Sequence, residues 1–285
     1  MELTADGSTL YLATALLHDV DRFYDAPGGG IYRHEIASGK TEKLGIPIPH
    51  NYIQSTLLDE ERGVLYNMHF TPECLSVFDL KTGTGRELGP IGGGMQMAQG
   101  ENLIQDDEGG IWCGWHASKA WHSRLGEDGA RLCKYDPEAG KIVYYPHGLP
   151  RADGPHGFAR VEGLFNLGTR MLFASGGNGS LYRIDPETAA VKYLGTPITD
   201  RRSRLTSLVM HPDGRAYGIT GRDGECQLIS FDPVAEKYEL GQAIKDADGE
   251  AMFQCHDISV SSDGVLFAGE NDHPRRSSYL WEITL

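Results

Sequence analysis

Eleven histidines are spread through these 285 residues, and arginines and tryptophans recur beside many of them. Imidazole titrates near neutral pH and serves as either proton acceptor or donor. Guanidinium pairs bidentately with carboxylate, and indole offers a flat face to a sugar ring. His50, His69 and His116 with Arg131 therefore form a candidate acid–base set, and Trp115, Trp121, Arg124, Arg204 and Arg276 a candidate binding set for an anionic or carbohydrate ligand. His156, Cys255 and His256 supply nitrogen and sulfur donors of the kind zinc accepts. No His-x-His, His-Glu-x-x-His or paired-cysteine spacing occurs, so a metal site would have to be assembled from distant segments. Such a site leaves room for one divalent cation, zinc or else manganese or calcium. A P-loop, a dinucleotide fingerprint and a Gly-x-Ser-x-Gly elbow are all missing.

The elements that must hold these residues repeat. LYRIDPETAAVKYLG, from Leu181, returns as IYRHEIASGKTEKLG from Ile31 and LSVFDLKTGTGRELG from Leu75. It returns again as LCKYDPEAGKIVYYP from Leu132 and LISFDPVAEKYELG from Leu228. Each copy alternates apolar and polar residues on both sides of a tight turn, which is the pattern of a β-hairpin. A second hairpin precedes most copies, as in LTADGSTLYLA and VMHPDGRAYGI. Two hairpins in tandem make a four-stranded antiparallel unit, and a period of roughly 45 to 60 residues with four strands marks a β-propeller. Six repeats are visible across a single domain, residues 1–285, and the last lacks its outer strand. A seven-bladed relative missing a blade is the alternative arrangement.

Strands of a propeller blade run alternately up and down, so the joining loops fall on two faces. His18, His69, His116, His122 and His273 fall at or beyond the end of a second strand, and His50, His156 and His256 precede or begin an inner strand. These eight of the 11 histidines are thus expected on one face, with Arg124, Arg131, Arg204 and Arg276. Insertions at His116–Ala130 and Pro146–Phe158 lengthen loops beyond what the repeat requires, as functional loops often are.

The totals exclude several classes. A net charge of −14 opposes nucleic-acid binding, and any anion site must be locally basic against that field. No apolar run is long enough to span a bilayer, so a soluble protein without a membrane partner is expected. The MELTADGS start has neither a basic segment nor an apolar stretch, so no signal peptide is read in this chain. That reading implies the cytoplasm by default, or the periplasm or exterior if a signal has been removed. Five cysteines, odd in number and without a Cys-x-x-Cys pair, read as reduced core thiols.

The stretches IPHNYIQ, LYNMHF, IWCGWHASKAW with RLCKYDP, GSLYRIDP and GENDHPRRSSYLWEI resemble β-propeller polysaccharide lyases. Ulvan lyases and related enzymes acting on rhamnose–glucuronate linkages are most similar, with oligogalacturonate and streptogramin lyases more distant. The resemblance covers nearly the whole chain. It implies two histidines one hairpin apart, matched by His50 and His69, and an arginine matched by Arg131. The tyrosine of that pattern falls where this chain has Trp115 and His116, and the ulvan lyases have a seventh blade. Members of this fold can carry a metal.

The implied reaction is β-elimination beside a uronate in an oligo- or polysaccharide. His50 or His69 would take the C5 proton, Arg131 would neutralise the carboxylate, and His116 or the second histidine of the pair would protonate the leaving oxygen. Two alternatives stay open. One is a non-catalytic propeller binding carbohydrate or protein on its histidine–arginine face; the other is a propeller glycosidase or lactone-opening enzyme.

Overall fold

The computed structural model describes residues 1–15, 20–70, 73–91, 103–116, 130–150 and 161–285. Its secondary structure is almost wholly β, in six antiparallel sheets that form the blades of a six-bladed β-propeller. Blade 1 holds β1 (Glu2–Leu3), β2 (Thr9–Ala13), β3 (Ile31–Glu35) and β4 (Lys40–Gly45). Blade 2 holds β5 (Tyr52–Asp59), β6 (Val64–Phe70), β7 (Cys74–Asp79) and β8 (Thr84–Pro90). Blade 3 holds β9 (Ile104–Gln105), β10 (Ile111–His116), β11 (Ala130–Asp136) and β12 (Lys141–Tyr144). Blade 4 runs through β13 (Val161–Asn166), β14 (Leu172–Gly176), β15 (Leu181–Ile184) and β16 (Val191–Gly195). Blade 5 runs through β17 (Leu208–Met210), β18 (Ala216–Thr220), β19 (Gln227–Asp232) and β20 (Lys237–Ala243). Blade 6 has three strands, β21 (Cys255–Val260), β22 (Leu266–Glu270) and β23 (Leu280–Ile283), so the expected missing outer strand is missing.

The chain divides into two compact units, Met1–Pro146 with blades 1 to 3 and His147–Leu285 with blades 4 to 6. Burial is deepest in middle strands such as β6 and β14, which are covered on both faces. β6 is buried along almost its whole length, whereas the outer strands β4 and β20 are largely exposed. In the first unit Tyr66, Met68 and Leu75 of blade 2 pack on Ile111, Cys113 and Tyr135 of blade 3. In the second, Phe165 and Phe173 of blade 4 pack with Ile229 and Phe231 of blade 5.

In four of the six repeats, blades 2 to 5, an aspartate explains why the sequence pattern recurs. Asp79, Asp136 and Asp232 end a third strand and Asp185 directly follows one, and each accepts backbone N–H bonds from the residues two and three further on, at 2.7–3.3 Å. A carboxylate that caps its own turn fixes the hairpin and the register beyond it. The same N–H groups hold the Asp79, Asp185 and Asp232 carboxyls below the ordinary range. All five cysteines are buried free thiols, as read from the sequence. No described helix is long and apolar enough to cross a membrane. A groove of about 830 Å³ lies along β23, lined mainly by Gln242–Ala247 and Tyr279–Leu285, with no histidine in its lining.

Candidate functional site

The first unit places its chemistry where β5 begins. His50 has a left-handed backbone, φ 59°, a conformation that costs a side-chain-bearing residue about 1–2 kcal/mol. The segment Ala26–Gly30 holds it there. The His50 amide donates to the Pro27 carbonyl at 3.1 Å, and the Gly29 amide donates to the Asn51 carbonyl at 2.7 Å. This close approach needs glycines. A Cβ on Gly28 would sit 2.9 Å from the Ile48 carbonyl oxygen, and one on Gly29 would sit 2.2 Å from that of Thr14.

The ring of His50 is fixed as firmly as its backbone. Nδ1 lies 2.8 Å from the Ala26 carbonyl oxygen, which can only accept, so Nδ1 carries the proton. In the neutral ring Nε2 is then the bare base, and it has no hydrogen-bond partner among the described residues. Tyr24, 78% exposed, meets this imidazole edge-on at 5.5 Å between centroids. A carbonyl-locked imidazole beside an exposed aromatic ring suits a base working at the edge of a bound sugar.

His69 stands differently from what the sequence led us to expect. It lies inside β6, paired with Ile53 and Cys74 on its two neighbours, and its exposure is 0%. Both faces of β6 are covered, so a residue near the strand's end remains interior. Burial pushes its pKa down to about 4, and the Tyr52 backbone offsets this only partly. Thr56 donates to Asn67 Oδ1 at 3.0 Å, Asn67 Nδ2 to Ser76 Oγ at 3.4 Å, and Ser76 Oγ lies 2.7 Å from His69 Nε2. The serine oxygen can donate to Nε2 or accept from it, and Nδ1 makes no hydrogen bond among the described residues. His69 is thus the neutral end of a buried polar chain, and of the two histidines only His50 presents a nitrogen outward.

Glu73 lies at the same end of blade 2. Its side chain is buried, Oε2 has no hydrogen-bond partner among the described residues, and burial raises its pKa. The neighbouring Tyr52 phenol is pushed up to about 12, by burial first and the Glu73 charge second.

β10 and β11 carry the next candidates to the corresponding end of blade 3. There the backbone pairs Trp115 with Arg131 and His116 with Ala130. Arg131 is partly buried. Trp121, Arg124 and His156 lie outside the described residues.

The second unit pairs two of its arginines, Arg204 and Arg276, internally. Arg204 is ion-paired with Glu162, whose side chain is only 2% exposed. Arg276 is paired with the fully buried Glu270, donating to it through both terminal nitrogens, and it stacks 3.6 Å above the Tyr279 ring. Both arginines were expected to bind ligand, but their charge is matched by carboxylates inside the unit. Cys255 and His256 are consecutive, the first buried and the second exposed. The Cys255 thiol donates to the Asp257 carbonyl at 3.3 Å, and burial raises its pKa far above the usual thiol value. With Cys255 buried and His256 exposed, the two side chains do not converge on one cation. No cluster of three metal-ligating side chains occurs among the described residues.

Comparison with known proteins reaches the fold and no further. No protein-family model matches the chain, and no curated protein matches its sequence. Solved structures do match it in shape. The extracellular domain of a candidate one-component system from B. thetaiotaomicron is 15% identical, with a TM-score of 0.61 over 94% of this chain. This chain spans only 31% of that protein. A candidate 6-phosphogluconolactonase from Bacteroides uniformis is 17% identical, with a TM-score of 0.64 over 96% of this chain and 81% of its own. An oligogalacturonate lyase in complex with manganese is 11% identical, with a TM-score of 0.56 over 95% of this chain and 69% of its own. The shared property is the β-propeller. At these identities the likeness extends to the fold alone, because a propeller hosts unrelated chemistries.

Sequence reasoning missed Tyr24, Glu73 and the glycine cradle. The run of three glycines, Gly28–Gly30, ahead of β3 was the available signal for the cradle.

Proposed function

We propose that the His50 end of the first unit cleaves a uronate-containing oligo- or polysaccharide by β-elimination. The observation that carries this reading is the His50 imidazole, locked by the Ala26 carbonyl in the tautomer that leaves Nε2 as base. Nε2 takes the C5 proton, the freed electron pair forms the C4–C5 double bond, and the C4–O bond breaks. Arg131 pairs with the uronate carboxylate and draws off the charge that develops next to it. His116, at the end of β10, returns a proton to the leaving oxygen. Tyr24 provides a ring face for the sugar, and His69 supports β6 from within rather than touching substrate.

The test is ultraviolet absorbance of the unsaturated uronate released from ulvan, rhamnose–glucuronate glycans and oligogalacturonate. Turnover that vanishes in His50→Ala supports the reading; wild-type protein inactive on all three opposes it.

The internal pairing of Arg204 and Arg276 favours a second reading, a propeller that binds a carbohydrate without cleaving it. Binding without turnover that survives His50→Ala selects that one.

A further inference from the structure

Cys113 and Cys133 face each other directly across β10 and β11, and their sulfurs are 3.1 Å apart. Both side chains are buried, at 1% and 0% exposure, in the apolar layer between blades 2 and 3. The other three cysteines have different company. Cys226 donates to the Phe253 carbonyl, Cys255 to that of Asp257, and Cys74 accepts from the Asn51 amide. Only this pair is arranged sulfur to sulfur among the described residues.

We propose that Cys113 and Cys133 are a dithiol that closes into a disulfide across the β10–β11 hairpin. A disulfide has a sulfur separation of ~2.03–2.05 Å and a Cα separation of roughly 4.4–6.8 Å, and directly opposed residues of antiparallel strands fall inside that Cα range. The sulfurs need to close by only about 1 Å, which rotation about χ1 supplies without moving either strand. In the step each thiol loses a proton and the pair loses two electrons. A disulfide oxidant such as oxidised glutathione accepts the electrons and leaves as two thiols.

Burial has two consequences. It raises the Cys133 thiol well above its ordinary pKa, as does the adjacent Cys113 sulfur, so the folded hairpin reacts slowly. Exchange then proceeds through local opening of the hairpin or during folding. The bridge would tie β10 to β11 just below Trp115, His116 and Arg131, holding the register that positions them. The inference does not rest on the glycan reading, since it requires only the pairing of these two strands.

The experiment equilibrates the full chain with glutathione buffers from fully reduced to fully oxidised, starting from both native and urea-unfolded protein. Thiols are trapped by alkylation and the peptides are mapped by mass spectrometry. The expected result is a single intramolecular Cys113–Cys133 bridge, three remaining alkylated cysteines, and a thermal midpoint roughly 5–10 °C above that of the reduced protein. Cys113→Ala and Cys133→Ala, checked for native circular dichroism, should each abolish both the bridge and the shift. The peptide map of the wild type decides the matter even if a variant does not fold. Five alkylatable thiols in oxidised glutathione, a bridge between other cysteines, or bridging only between molecules would overturn the proposal.

Discussion

Substitution of His50 separates its strain from its chemistry, because alanine and glycine remove the same ring but only glycine relieves the backbone. The lost bond from Nδ1 to the Ala26 carbonyl is worth about 0.5–1.5 kcal/mol net in either variant. At φ 59° alanine keeps a left-handed penalty of about 1–2 kcal/mol that glycine does not have. Glycine gives back roughly 0.5–1 kcal/mol through the entropy of the unfolded chain. His50→Gly should therefore be more stable than His50→Ala by about 0.5–1 kcal/mol in urea unfolding, and close to the wild type. Activity should behave otherwise. Loss of a general base lowers kcat by roughly 10²–10⁴-fold, and it should do so equally in both variants. Added imidazole should restore part of the rate in His50→Gly, where the vacated space is largest. Alanine as stable as glycine would refute the strain argument. A glycine variant that turns over substrate at the wild-type rate would remove His50 from the chemistry.

The remaining predictions concern stability. The His69 pKa falls from 6.5 to about 4 on folding, so the unfolded chain binds the extra proton between those values. Stability is complete above about pH 6.5 and falls by roughly 3 kcal/mol as pH drops to 4, and His69→Gln should flatten that slope in urea titrations. Glu73 has the opposite sign. Its raised pKa means that stability is lost as pH climbs above the ordinary carboxyl value, so Glu73→Gln should be the more stable at pH 7 in urea unfolding. Glu270 accepts from Arg276 and from the Phe253 and Tyr279 amides, so Glu270→Ala removes the main partner of a guanidinium and the side-chain acceptor of two N–H groups. A loss of about 3–5 kcal/mol is expected by calorimetry.

The blades were legible because their signals are local. Hairpin alternation and the turn-capping aspartates Asp79, Asp136, Asp185 and Asp232 lie within a few residues of the turns they define. His50 was legible as a candidate because it sits just ahead of an inner strand. The enclosure of His69 was not, since alternation assigns a residue to one face of a sheet while both faces of β6 are covered within this fold. Distance also hides partners. Glu162 and Arg204 are 42 positions apart, and no local pattern couples them. Glu270 and Arg276 are only six apart, close enough for one loop to bring them together. The glycines at 28–30 are the intermediate case. Their type was visible, but the reason for it, a backbone passing against Ile48–Asn51, is a contact between segments about 20 residues apart.

Charge gives the proposed substrate a measurable signature. The chain carries a net −14, and two of the arginines expected to attract an anion are neutralised by Glu162 and Glu270. A polyuronate therefore approaches against a repulsive field and meets attraction only at short range, where Arg131 would pair with a single carboxylate. Repulsion between separated charges is screened once the Debye length shrinks, from about 30 Å at 0.01 M salt to about 8 Å at 0.15 M. The close pair is screened much less. Accordingly kcat/KM on a polyuronate should rise as salt increases over this range, the reverse of the usual behaviour of an electrostatically steered enzyme. A neutral glycan should show no such rise. If kcat/KM on the polyuronate instead falls steeply with salt, a strongly basic surface must face the substrate, and the pairing of Arg204 and Arg276 with carboxylates cannot describe the protein at work.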